Sequence, residues 1–227
     1  DAGAGGLRNS RDAGASWSGP LLADPVLSLA ISSTGDTVWA GLVSGGCARS
    51  NDRGATWQPI PIPAGAVVVD LSLSSDRLLA RTVEGSVAQS GDGGRTWQPG
   101  PLPETTHIHD VAVSSTTCQA LFATDNGVLG DNDDAVTLGD DAITLLAASA
   151  CDPRLTAAAS ARTLYLSRDG ARSWEPSSPP LADDEEIVAI AIGAAGQTPD
   201  TLLAAATLDA DRHGAVWMRL GTSPVFT

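Results

Sequence analysis

Ser50-Asn51-Asp52-Arg53-Gly54-Ala55-Thr56-Trp57 is one of four versions of a single eight-residue pattern, and the spacing of the four decides how the chain is read. The others run from Ser10 to Trp17, Ser90 to Trp97 and Ser167 to Trp174, and all take the form S-x-D-x-G-x-[ST]-W, except that the last carries Ala171 at the fifth position. The first three begin 40 residues apart and the fourth begins 77 residues later, close to two further periods. A fixed period of this size marks a repeat architecture, because one such unit cannot bury its own apolar faces and has to stack on its neighbours.

Working outward from each pattern gives a four-strand unit of roughly 40 residues, with short strands bounded by turn residues. First strands are expected at Val26 to Ser32, Val67 to Ser74, Ile108 to Ser114, Ile143 to Ser149 and Ile187 to Gly193. Second strands follow at Thr37 to Val43, Arg77 to Val83, Gln119 to Asp125, Leu155 to Ala161 and Thr201 to Leu208. Third strands are expected at Gly6 to Ser10, Cys47 to Ser50, Ser86 to Ser90, Gly127 to Gly130, Thr163 to Ser167 and Ala215 to Leu220. Each pattern then falls on the hairpin between third and fourth strands. A decayed copy occupies Gly130 to Thr137, with Asn132 for the Asp, Asp134 for the Gly and Thr137 for the Trp.

Four-stranded antiparallel units repeated in this way read as one all-β domain, residues 1–227, with the architecture of a β-propeller. Five first strands imply five blades, the N-terminal segment completing the sheet begun by Ile187 to Leu220. The alternative is six blades, with an incomplete one at the N-terminus. The first strands alternate an apolar face (Leu29, Ile31; Leu71, Leu73; Val111, Val113) with a small or polar one (Ser28, Ala30; Asp70, Ser72; Asp110, Ala112), the period of two that strands require. Small side chains suit a wedge that narrows towards an axis.

Composition narrows the function classes. The formal charge is −14, with 27 acidic residues against 13 basic ones, and no cluster of arginines provides the basic footprint that phosphate binding needs. Nucleic acid is therefore excluded as an expected partner, and the acidity reads as solubility and self-repulsion. No run of about 18 apolar residues is present, so no membrane-spanning helix is expected. The chain starts at Asp1 without Met, and an extracytoplasmic or secreted protein is the expectation. Of three cysteines, Cys118 and Cys151 lie in comparable connections of neighbouring repeats, where a disulfide can form, which leaves Cys47 as a buried free thiol.

Local chemistry explains the pattern residues. Asp12, Asp52, Asp92 and Asp169 can accept hydrogen bonds from turn N–H groups, and Gly14, Gly54 and Gly94 allow a backbone conformation costly for other residues. Ser10, Ser50, Ser90 and Ser167 can bridge the hairpin, while Trp17, Trp57, Trp97 and Trp174 bring a large apolar surface to the seam between sheets. The pattern resembles the Asp-box, or bacterial neuraminidase repeat, found in sialidases, xyloglucanase-type glycoside hydrolases, sortilin-like receptors and the photosystem II stability and assembly factor. The resemblance implies a propeller with the boxes on the outer part of the blades, and it leaves the function open, since these families share architecture and differ in activity.

A sialidase would need three converging arginines, a tyrosine nucleophile with a glutamate partner and an Arg-Ile-Pro segment. The only tyrosine, Tyr165, sits two residues before a box and reads as blade packing, and Arg-Ile-Pro is absent. A glycoside hydrolase needs two carboxyl groups flanking the scissile bond. Asp70 and Asp110 are the best pair, being equivalent positions of neighbouring first strands, with Asp36, Glu84 and Asp125 weaker. His107 and His109, two apart on a strand, form half of a metal site that nothing else completes, His213 lying far along the chain, and the pair reads as a polar strand entry. Asp131-Asn132-Asp133-Asp134 and Asp183-Asp184-Glu185-Glu186 offer oxygen ligands to calcium without the spacing of a full calcium loop. The expectation is thus a non-catalytic scaffold without metal or cofactor, calcium being the one ion in reach. Its partner is expected to be protein or carbohydrate, and the alternative is a polysaccharide hydrolase using Asp70 and Asp110.

Overall fold

The computed structural model describes residues 6–226 apart from 13, 33, 63–65, 75–76, 103–105, 115–118, 132–134, 150–151, 153, 195–200 and 221–225. Its described residues form strands and turns throughout, in five antiparallel sheets that follow chain order: a five-bladed β-propeller. The chain divides into two compact units, Asp1–Pro103 and Glu104–Thr227.

The first unit holds two blades. Blade one is β1 (Val26–Ile31), β2 (Val38–Leu42), β3 (Cys47–Ser50) and β4 (Gln58–Ile60), and blade two is β5 (Val68–Ser74), β6 (Arg77–Thr82), β7 (Val87–Ser90) and β8 (Gln98–Pro99). Strands pair in simple order within each sheet. The two sheets share one core, in which Ala30, Trp39 and Cys47 of blade one meet Val68, Leu71, Leu78 and Ala80 of blade two. Trp39 is fully buried, and truncating such a residue typically costs about 3–5 kcal/mol.

The second unit holds three blades. Blade three is β9 (Ile108–Val113), β10 (Ala120–Thr124), β11 (Gly127–Gly130) and β12 (Ala135–Val136); blade four is β13 (Leu145–Ala148), β14 (Thr156–Ala159), β15 (Leu164–Ser167) and β16 (Glu175–Pro176). Blade five is β17 (Glu186–Ala194), β18 (Thr201–Leu208) and β19 (Gly214–Leu220), a sheet of three strands. The middle strands β10 and β14 are buried along their whole length, and their alanines let neighbouring sheets approach closely. One core joins Leu121, Val128, Ile143, Leu146 and Ala158, with Tyr165 packed at its edge; a second joins Leu155, Leu164, Leu166, Ile187, Leu203 and Phe226.

One device recurs in the first strands. Leu27, Val69, His109 and Val188 are each an extra residue between two consecutive pairs of the ladder, as in Val68↔Thr82 followed by Asp70↔Arg81. Such a bulge increases local twist and re-aims a side chain. The expected strand at Gly6 to Ser10 is not formed: residues 6–10 carry no strand, the Asn9 and Leu7 carbonyls accepting from the Ser18 and Leu21 amides across the first box without a continuing ladder. The decayed box copy at Asn132 and Asp134, and the Cys118 and Cys151 pair, lie outside the described residues.

Candidate functional site

The boxes lie where third strands turn into fourth strands: Ser50, Ser90 and Ser167 end β3, β7 and β15, and Trp57, Trp97 and Trp174 directly precede β4, β8 and β16. All four repeat one hydrogen-bond circuit. In the second box the Ser50 hydroxyl donates to Asp52 Oδ1 (2.7 Å) and accepts the Gly54 amide (2.8 Å), while Asp52 accepts the Thr56 amide (2.8 Å) and hydroxyl (2.6 Å). The same four bonds join Ser10, Asp12, Gly14 and Ser16. They recur with Ser90, Asp92, Gly94 and Thr96, and again with Ser167, Asp169, Ala171 and Ser173. Hydrogen bonds from the seventh residue, Ser16, Thr56, Thr96 or Ser173, hold the four carboxyl groups down at about 2. Hydrogen bonds to the charged form favour it, so these carboxylates stay ionised in the fold.

Two box tryptophans close the turn, Trp57 Nε1 donating to the Gly54 carbonyl and Trp174 Nε1 to that of Ala171. Trp17 differs: it is 62% exposed, next to Leu27 (47%) and Leu29 (45%) of β1, a strand that also exposes Ile31 (58%). Leu71, at the place of β5 equivalent to Leu29, is buried against Ala30 and Trp39. The apolar face expected on the first strand therefore packs in blade two and is open in blade one. Trp17, Arg8, Leu7 and Val26 to Leu29 line an open groove of about 460 Å3. Arg8 is held there by a hydrogen bond from Nη1 to the Ser18 carbonyl. The exposure of this face could not be read from alternation, which marks a face as apolar without saying whether another sheet covers it.

The carboxylates singled out for hydrolysis have other employment. Asp110 Oδ2 accepts the Leu146 amide at 2.7 Å, tying β9 to β13 of the next blade, and Oδ1 accepts the Val111 amide at 2.8 Å. Asp70 is half-buried, opposite Arg81 in the β5–β6 ladder, and belongs to the other compact unit. Asp36 pairs with Arg53 at 2.7 Å, and Glu84 is exposed in the β6–β7 turn. Asp125, one of the weaker candidates, is displaced below its ordinary acidity, as are Asp12, Asp52, Asp92 and Asp169. A general acid for glycoside cleavage needs the opposite displacement.

In the second calcium candidate the backbone is held by a cation of the chain itself. Arg162 donates to the carbonyl oxygens of Ala182, Asp183 and Glu185, and the Glu185 carboxylate turns back to accept the Ala182 amide. In the first candidate, residues 132–134 lie outside the described residues, and Asp131 Oδ2 accepts the Ala120 amide. Cys47 is buried and its thiol is pushed up to about 12 by desolvation. His213 pairs with Asp209 in the β18–β19 turn, whereas His107 and His109 meet Asp125, a third donor that sequence spacing did not reveal.

No protein-family profile and no curated protein matches the chain. Its solved structural relatives are propellers at low identity. A GH74 xyloglucanase from Xanthomonas campestris superposes with a TM-score of 0.70 at 13% identity, over 99% of this chain and 42% of the enzyme. YCF48 from Cyanidioschyzon merolae gives 0.57 at 14%, over 89% of this chain and 70% of that one, and YCF48 bound to D1 peptide gives 0.54 at 16%, over 86% and 76%. An ancestral GH74 enzyme gives 0.64 at 13%, and this chain spans 35% of its length. Likeness at this identity defines the class by its fold, the β-propeller.

Proposed function

We propose that this chain is a non-catalytic binding scaffold whose partner is a protein segment, taken on the open apolar face of blade one. The observation that carries the reading is the contrast between Leu71, covered by a neighbouring sheet, and Leu29, uncovered beside an exposed Trp17. Contiguous exposed apolar surface marks an interaction site. What covers this face in blade two is β-structure with aliphatic and aromatic side chains, so an extended apolar segment fits blade one better than a sugar does. Support comes from a neighbour of the same fold, a YCF48 bound to a peptide. The structural engagement of Asp110 weighs against the hydrolase alternative. An extracytoplasmic assembly component is the concrete form proposed.

Selection of displayed random peptides against the whole chain tests the reading. The expected result is enrichment of apolar, strand-forming peptides whose binding is lost in the double variant Trp17→Ser, Leu29→Asp. Polysaccharide hydrolysis abolished by Asp70→Asn or Asp110→Asn would overturn it.

A further inference from the structure

His107, His109 and Asp125 converge at one end of blade three because of the β9–β10 register. Ile108 faces Thr124 in that ladder, which puts His107 and Asp125 beside each other just beyond the last pair. His109 is the bulge residue, released from the pairing and re-aimed towards the same end. His109 Nε2 stands 2.7 Å from Asp125 Oδ1 and His107 Nδ1 stands 3.8 Å from the same oxygen. The two imidazoles meet edge to face with centroids 4.5 Å apart, and all three donor atoms lie within 4.8 Å of one another.

From this geometry we infer that His107, His109 and Asp125 form a binding site for a divalent transition-metal ion, best suited to zinc. Two imidazole nitrogens and one carboxylate oxygen are the donor set of three-ligand zinc sites with an open position. Donors about 2.0–2.2 Å from a tetrahedral ion are separated from one another by about 3.3–3.6 Å. The observed 2.7 and 3.8 Å lie either side of that range and all three donors stay within 4.8 Å of one another, so the ion requires rotation of the exposed side chains to draw the donors around it. His107 and Asp125 are 64% and 59% exposed and His109 22%, which leaves one anchored ligand, two adjustable ones and the remaining coordination position open to water. Calcium and magnesium, which require mostly oxygen ligands, fit this set poorly.

Calorimetric titration of the full chain with zinc chloride, and with cobalt(II) chloride followed by visible absorption, tests the site. One ion per chain is expected, with the intense visible bands of a four-coordinate cobalt centre. His109→Ala and Asp125→Ala should each weaken binding by at least about tenfold, since even removal of groups that merely orient ligands costs about 10–100-fold. His213→Ala should leave it unchanged, and circular dichroism of each variant establishes that the fold persists. Absence of saturable binding, or binding that survives His107→Ala and His109→Ala together, overturns the assignment.

Discussion

A methyl carbon placed on Gly94 would stand 2.7 Å from Cη2 of Trp39, so the glycine of the third box is shaped to a tryptophan of the preceding blade. Arg49 completes this joint, stacking on Trp39 at 4.9 Å and donating through Nη1 to the Gly93 carbonyl. The box therefore fastens its own hairpin and also seats it on the neighbouring sheet. Gly54 has a similar left-handed backbone, yet a Cβ there meets nothing closer than Leu21 Cδ1 at 3.5 Å.

Gly54→Ala should cost about 1 kcal/mol, the backbone strain being partly offset by the reduced freedom of the unfolded chain. Gly94→Ala adds overpacking against Trp39, which typically costs a further 1–3 kcal/mol or so. Urea unfolding of the two variants separates these contributions. Equal losses would show that the Trp39 contact is slack.

Ala171 holds φ at +69° in the fourth box, a left-handed conformation that its Cβ disfavours. Ala171→Gly should raise stability by about 1 kcal/mol, the relief of strain being partly offset by the greater freedom of glycine in the unfolded chain. A rise in the unfolding midpoint at constant slope is the expected outcome.

The box carboxyl groups set a pH dependence whose sign is fixed. Asp52 titrates at about 2 in the fold against an ordinary 3.8, so the folded state holds its proton less tightly than the unfolded one. Its stabilisation is fully present above about pH 4 and is lost as pH falls through about 2. Asp12, Asp92 and Asp169 act in the same direction. Chemical denaturation from pH 5 downward should show a steep loss in this window, shallower in Asp52→Asn, and an unchanged slope would contradict the assignment.

Asp110 bridges blades three and four through the Leu146 amide. Asp110→Ala strands that N–H and should cost about 1–3 kcal/mol, whereas Asp110→Asn keeps an acceptor oxygen and should cost less. Denaturation midpoints of the pair measure the bridge.

Strand positions were legible to within a residue or two because turn residues and period-two alternation bound each one: β3, β11 and β18 begin and end where the spacing predicts. The bulges at Leu27, Val69, His109 and Val188 were invisible, since an extra residue in a ladder changes pairing without changing composition. For the same reason Asp125 was separated in sequence reasoning from the two histidines it meets: 16 residues divide it from His109, and only the register brings them together. Strand formation at Gly6 to Ser10 was overread, because a box signals a hairpin and the hairpin here is held by two carbonyls without a continuing ladder.

Because those bulged residues take no part in cross-strand pairing, each gives its blade one address where side-chain chemistry can be rewritten at little cost to the ladder. Histidine already occupies one of them and aliphatic residues the other three. A combinatorial library randomised at residues 27, 69 and 188 would have a ready-made frame, and new recognition properties could be grafted there one wedge at a time.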